Sequence, residues 1–425
     1  MPNYDTVVIG AGLAGLTAAV QLARARQKVL LVATGIGALV LASGCIDVLG
    51  YQPAESNRPL TSPAAALPDF LAAWPDHPYH RAGRDKLEAG LTRFLGLVNP
   101  AGLAYQGSLE RNWLLPTPAG AVHPTCLAPA AQANGELSQG GRRLIIGFPE
   151  LRDFYPGLIS QNLNAQGLAV ETAALRLELP APVTGRLNIT PLELAQAFER
   201  PDFRRRLILA MRTDSRGYDR IGFPAVLGLA NHAEVLADLQ QQLGKTVFEI
   251  STLPPSVPGR RLFEQLRRLF LQAGGRLILG SKVVAGQLTA GRVSHIRLES
   301  AGRLRTIRAG HYVLASGGIF GGGIHTEAEG RVWEPIFGLP VAAPAERQRW
   351  FARQFIAPAG QPVGQFGLRV NACFNPVDQA EECLAENLFV AGASLAGADW
   401  RQGRCGEGIA LASATAIVDQ ICQGK

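Results

Sequence analysis

An α/β architecture, an open parallel sheet of Rossmann type interrupted by an inserted cap, is what the 425-residue sequence predicts. Three observations carry it. A β-branched run, a glycine turn and a helical stretch open the chain; a second apolar run follows at βαβ spacing; two more apolar runs that stop at glycines appear in the last third. Apolar residues make up 47% and charged residues 18%, with 48 Gly and 28 Pro spread along the chain, which excludes a disordered or collagen-like protein. The length predicts about two domains.

Thr6-Val7-Val8-Ile9 reads as a fully buried strand. It runs into Gly10-Ala11-Gly12-Leu13-Ala14-Gly15 and a helix through Ala23, so a G-x-G-x-x-G turn joins strand to helix. The first glycine permits the turn, the second admits a phosphate to the backbone, and the third lets helix lie close on strand. Gly10, Gly12, Leu13, Ala14 and Gly15 are therefore the first cofactor-binding candidates. The strand Lys28 to Val32 ends at Ala33, Thr34 and Gly35, without the carboxylate that usually pairs with an adenosine ribose. Thr34 offers a single hydroxyl in its place, so either the ligand lacks adenosine or other residues hold it. Thr6 to Ala23 and Val29 to Ile46 carry no charged side chain, yet each divides into strand, turn and helix or loop and is not a membrane span.

Residues 61–254 are expected to form the inserted cap. Pro116 to Pro129 reads as loops and turns, and Pro191 to Phe198 and Ala233 to Leu243 read as helices. The run Arg204-Arg205-Arg206 reads as a solvated helix face, so the net charge of +7 favours acidic partners without making a nucleic-acid platform.

The chain returns to the first domain over 255–425. A helix with Leu262, Phe263, Leu266, Leu269 and Phe270 on one stripe precedes the strand Arg276 to Leu279. A β-rich stretch from Lys282 follows, with Val283 as a further cofactor candidate, and ends in His311 to Leu314 and then Ala315-Ser316-Gly317-Gly318. Asn387 to Val390 stops at Ala391-Gly392-Ala393, and Gly403-Arg404-Cys405-Gly406-Glu407-Gly408 opens a terminal helix to about Cys422. Ala315, Ser316, Gly317, Gly392, Ala393, Gly406 and Gly408 bring bare backbone and a helix dipole to a flat ligand. Beside a flavin, that dipole favours the reduced state.

This order of glycine clusters resembles the FAD/NAD(P)-binding flavoproteins related to fumarate reductase and succinate dehydrogenase. Ser43-Gly44-Cys45-Ile46-Asp47-Val48-Leu49, Leu253-Pro254-Pro255-Ser256-Val257-Pro258-Gly259, Ala315 to Gly323 and Glu334-Pro335-Ile336-Phe337-Gly338-Leu339 narrow the resemblance to the B-subunit family of the anaerobic glycerol-3-phosphate dehydrogenases, over almost the full length. The resemblance adds Ser43 and Gly44 to the cofactor candidates. It implies a flavin, given as FMN with FAD as the alternative, and oxidation of sn-glycerol 3-phosphate to dihydroxyacetone phosphate. Two partners are implied as well: an FAD-bearing catalytic A subunit, and an iron–sulfur C subunit that anchors the complex to the inner membrane and passes electrons to a quinone.

Cys45, Cys126, Cys373, Cys383, Cys405 and Cys422 form no C-x-x-C pair, so no metal or cluster site is expected. The scattered thiols and the amino end without a basic n-region point to the cytoplasm. Alcohol oxidation needs a base and cations for the phosphate; His325, Arg331, Arg401 and Arg404 are the catalytic candidates, Arg331 because Trp333 stands where the resemblance expects an arginine. For Arg331 the alternatives are a phosphate clamp and a structural salt bridge. A relay or scaffold role in the complex, a fumarate-reductase-type enzyme with another substrate, and a flavin-dependent RNA-modifying enzyme are the other readings.

Overall fold

The computed structural model describes residues 3–424 apart from 53–55, 57, 184, 301, 356, 358 and 359. The chain divides into two compact units: residues 1–38, 47–97 and 265–425 form the first, and residues 39–46 and 98–264 the second.

The first unit is built on five strands, β1 (Tyr4–Ile9), β2 (Val29–Ala33), β3 (Arg276–Leu279), β4 (Ala309–Leu314) and β5 (Leu388–Val390). They lie in the order β3-β2-β1-β4-β5, all parallel. Val7, Val8, Leu30, Leu31, Val313 and Leu314 are fully buried, as strands covered on both faces must be. The register sets Ile9 beside Val32 and Leu314, and Leu314 beside Val390, so the carboxyl ends of four strands finish level. The helices α1 (Leu13–Arg24), α2 (Tyr79–Val98, broken by a kink at Gly83) and α3 (Gly406–Gln423) belong to this unit, and α1 packs against α3. An antiparallel sheet of Lys282–Thr289, Arg292–Ser300 and Arg303–Ile307 is inserted between β3 and β4.

The second unit has its own four-stranded parallel sheet, ordered Thr246–Ile250, Arg220–Pro224, Gly141–Gly147, Val170–Arg176. The helices Pro191–Phe198 and His232–Leu243 stand where the sequence placed them. Two expectations change. Within Pro116 to Pro129, Val122–Thr125 pairs with Trp113–Pro116 as a two-stranded ribbon, which tolerates Pro116 and Pro124 because neither lies in a central strand. Arg204 is not a solvated member of its run: it is 2% exposed, ion-paired with Asp238, and its Nη1 donates to Phe198 O (2.8 Å) and Glu199 O (3.0 Å). Arg205 and Arg206 do face solvent.

The sequence set the cap at 61–254, whereas residues 61–97 lie in the first unit and 39–46 and 255–264 in the second. Helix periodicity marks an apolar face but not what covers it: Gly90 of α2 meets the backbone of α3 at Leu411, which ties this stretch to the sheet unit.

Candidate flavin site

The site grows from the carboxyl ends of β1, β4 and β5. Gly10 has φ +113, and a Cβ there would stand 2.1 Å from Ala315 O; a Cβ on Gly15 would stand 1.9 Å from Gly10 O. Only glycine lets these three backbones meet. Ala315 N–H donates to Ile9 O at 2.8 Å, carrying the sheet ladder one residue past β4. A Cβ on Gly12, the N-cap of α1, would meet nothing within 4 Å. No side chain caps α1 and no acid stands in its first turn, so the Leu13, Ala14 and Gly15 amides are arranged to receive an anion.

The segment after β4 closes on the segment after β5. A Cβ on Gly318 would lie 2.5 Å from Ala393 O, and Ser394 Oγ donates to Gly317 O at 3.1 Å. Gly392, at φ +67, donates its N–H to Ser413 Oγ of α3 (3.0 Å), and a Cβ on it would stand 3.0 Å from Ala14 Cβ. Ser316 Oγ is buried and has no hydrogen-bond partner among the described residues. Gly10, Gly12, Leu13, Ala14, Gly15, Ala315, Ser316, Gly317, Gly392 and Ala393 are thus brought together.

The amino end of α3 is held from a distance in sequence. Gly408 N–H donates to Asp47 O (2.9 Å), and Tyr79 Oη lies 3.0 Å from Val48 O and 3.3 Å from Cys405 O. Gly408 leaves room for that hydroxyl, since a Cβ there would stand 2.0 Å from it. His77 accepts the Tyr79 N–H on Nδ1 (3.2 Å), so its proton sits on Nε2, 3.4 Å from Cys405 Sγ. Burial pushes His77 down to about 3 and drives the Cys405 thiol far above its ordinary value, so the ring is neutral and the thiol is packing. Burial and then the Asp47 carboxylate raise Glu407 in the first turn of α3. A neutral carboxyl there leaves the dipole of α3 uncancelled.

At the end of β2, Thr34 is exposed, and a Cβ on Gly35 would meet nothing within 4 Å. Gly280 and Ser281 N–H donate to Ala33 O (2.9 and 3.3 Å), so the strand carrying buried Val283 starts beside that end. Ser43 and Gly44 lie in the second unit: Ser43 Oγ accepts the Cys45 N–H (3.1 Å), and Gly44, at φ +86, lies against Pro258.

The catalytic candidates do not converge as one group. His325 and Trp333 face each other in the small ribbon His325–Thr326 and Val332–Trp333, rings 5.6 Å apart, and Arg331 lies 4.8 Å over the Trp333 ring. Arg331 therefore makes a cation–π contact with Trp333. Arg401 pairs with Asp399 (3.2 Å) and lies 5.5 Å over Phe320; Arg404 lies 5.5 Å over Tyr51. Glu334 of the Glu-Pro-Ile segment folds its own turn: its carboxylate accepts Ile336 N–H (2.8 Å) and Phe337 N–H (2.7 Å). Sequence reasoning missed His77 and Tyr79, which no local pattern marks, and gave Asp47 no role although it lies in the Ser43 to Leu49 stretch; Glu407, inside a glycine-rich helix start, was legible as an acid at a dipole.

Parallel strand ends, an anion-ready helix start and a seam of bare backbone define a dinucleotide-binding flavoprotein fold. A flavin fits it on two observations: the glycine contacts leave no room for side chains, and Ser316 presents an unpartnered buried hydroxyl. The family model described as "FAD binding domain" matches residues 5–409. Proteins named as the B subunit of anaerobic glycerol-3-phosphate dehydrogenase are similar over nearly the whole chain: 34% identical in Pectobacterium atrosepticum (99% of this chain, 98% of that one) and 32% in Vibrio cholerae (99% and 97%). One named as a probable B subunit of that enzyme, in Halobacterium salinarum, is 35% identical (96% and 95%). The chain belongs to the FAD-binding-domain flavoproteins and, among them, to the B-subunit family of the anaerobic glycerol-3-phosphate dehydrogenases. It is a flavin-dependent oxidoreductase. The expectation of FMN finds no support in this match, whose description names FAD. Among the described residues no helix is long and apolar enough to cross a membrane.

Proposed function

We propose that the chain is the flavin-bearing B subunit of a glycerol-3-phosphate dehydrogenase, that its flavin is FAD, and that it serves the oxidation of sn-glycerol 3-phosphate to dihydroxyacetone phosphate. The observation that carries this is the 32 to 35% identity, over 96 to 99% of the chain, to proteins of that name. FAD rests on the family description and on the open space at Gly35 beside exposed Thr34, whose hydroxyl would stand in for the missing carboxylate. The Leu13, Ala14 and Gly15 amides would hold the diphosphate. Ala315 to Gly317, Gly392, Ala393, Gly406 and Gly408 would line the ring, and Ser316 Oγ would gain the partner it lacks among the described residues. When bound, the flavin supplies a two-electron acceptor for the carbinol hydride. The chain's own part is to bind and orient: α3 directs its positive end at the site, and Tyr79 holds the start of that helix in place.

The proposed partners are an FAD-bearing catalytic subunit, distinct from this chain, and an iron–sulfur subunit, through which electrons reach a quinone and by which the chain is held peripherally at the inner membrane. A second reading, that this chain relays electrons while the FAD-bearing catalytic partner binds substrate, is favoured by one observation: Arg331, Arg401 and Arg404 each already lie against a partner within the chain. Anaerobic addition of glycerol 3-phosphate to the purified chain separates the two. Bleaching of its flavin supports catalysis here; bleaching only after the catalytic partner is added supports relay; none in either case removes the substrate. Chromatography of the cofactor released by acid is expected to give FAD, and FMN would refute that part.

A further inference from the structure

The second unit holds a cavity of its own, 70 Å³ in volume and partly open. Two helices border it: His232 and Leu236 stand one turn apart on the helix His232–Leu243, and Pro258 and Arg261 one turn apart on the helix that begins at Val257. Leu103, Tyr105, Pro129 and Ala131 add to a wall that is mostly apolar, and no residue of the flavin seam lines it. The polar groups of this wall are largely engaged. Ala130 N–H donates to Ala104 O (2.7 Å), Leu103 N–H to Val98 O (3.1 Å), and the Tyr105 hydroxyl to Gly44 O (2.5 Å). Arg261 gives its Nε to Gly228 O (2.8 Å) and both terminal nitrogens to Glu249 (2.7 and 2.9 Å). His232 is the exception. Its Nδ1 lies 2.7 Å from Leu227 O, which can only accept, so that nitrogen carries the proton and Nε2 offers a lone pair. Glu249 Oε2, 3.9 Å from Nε2, is another acceptor, and Nε2 has no hydrogen-bond partner among the described residues. Burial, and then the Arg261 charge, push His232 below its ordinary value, so the ring is neutral.

We propose that this cavity is a binding site for a small neutral alcohol, whose hydroxyl donates to His232 Nε2 while a body of about three carbons lies on the apolar wall. Volume sets the body. A water needs about 10–15 Å³, so the 70 Å³ here would take several, but each water also needs two to four polar partners and the wall leaves too few free. A cavity of about 150 Å³ admits a benzene ring, so about half that volume suits three or four heavy atoms. Charge sets the head. A carboxylate or phosphate would find no free cation, because Arg261 is already held by Glu249, and it would stand near that carboxylate. An ammonium would be stripped of water beside the Arg261 guanidinium, the same charge that keeps a proton off His232. A hydroxyl brings the single donor that the ring can use and adds no charge. The phosphate ester proposed above as substrate is thereby turned away, so this site lies outside that reaction and rests on no part of the flavin assignment.

The test uses the full chain with its flavin. Saturation-transfer NMR titrations with n-propanol, propanoate and n-propylammonium are run on the wild type and on two variants. His232→Phe keeps a ring but loses the acceptor, and Ala233→Phe fills the cavity from an exposed lining position. Propanol is expected to bind the wild type saturably and at least tenfold more tightly than either ion. It should bind His232→Phe about fivefold more weakly and Ala233→Phe not at all. Absence of saturable binding, with water alone in the cavity, overturns the proposal. So do equal affinities for the three probes, which the wild type decides without either variant, or wild-type affinity in a variant that keeps its melting temperature. Flavin content and bleaching by glycerol 3-phosphate are read on separate samples, so failure of the proposed function shows there and leaves the titrations unchanged.

Discussion

Gly10 and His77 stand at opposite ends of what a residue reveals by itself. Gly10 needs a positive φ and has Ala315 O where a Cβ would go, and its place in G-x-G-x-x-G announces both. Gly10→Ala is expected to destabilise the chain by about 2 kcal/mol or more and to abolish flavin retention, read from urea unfolding and absorbance. His77 carries no such signal; its neutrality comes from burial beside Phe70, Tyr79 and Cys405. Held at about 3 in the folded chain against 6.5 for the free side chain, it takes up its proton in the unfolded state first. The stability it confers is whole above pH 6.5 and drains as pH falls towards 3, by about 1.4 kcal/mol per pH unit within that window. His77→Gln should therefore flatten the acid limb of a stability–pH curve. An unchanged slope would mean that the ring charges in place.

At the scale of elements, the meeting of α2 with α3 positions the terminal helix. Lys86 and Arg93 reach Asp419 at 2.7 and 2.8 Å, and Gly90 lets the helices close, since a Cβ would lie 2.9 Å from Leu411 O. Gly90→Val is expected to cost about 1–3 kcal/mol through overpacking, checked by calorimetry. Tyr79→Phe removes one hydroxyl from Val48 O and Cys405 O; a loss of about 1 kcal/mol with lowered flavin occupancy is expected, and full occupancy would show that the hydroxyl does not hold α3. The terminal helix was legible because small residues and glycines mark it over its length. The assignment of α2 to the sheet unit was not, because a helix stripe records burial without naming the covering element.

For the whole molecule, the first parallel sheet was legible and the second was not. Val7 to Ile9 and Val29 to Val32 are uninterrupted apolar runs, whereas the strand Gly141–Gly147 carries Arg142 and Arg143, and the strand Thr246–Ile250 carries Glu249. Arg143 and Glu249 are buried, and only folding makes their charges acceptable. Arg143 donates to Gly135 O, and Glu249 takes two bonds from Arg261 at 2.7 and 2.9 Å and one from Leu227 N–H at 2.9 Å. Burial alone would raise Glu249, but Arg261 and these bonds hold it below its ordinary value. Glu249→Gln leaves the Arg261 guanidinium buried without its counter-charge, and a loss of about 3–5 kcal/mol is expected; the denaturation midpoint of the second unit measures it. The sequence by itself determined where backbone must lie bare, because a glycine's conformational need is local and its spacing against apolar runs survives in one dimension. Which distant groups hold those bare segments together, which charges are neutralised and which cations are already taken was decided by tertiary structure, since burial and pairing belong to neighbours in space that no spacing along the chain records.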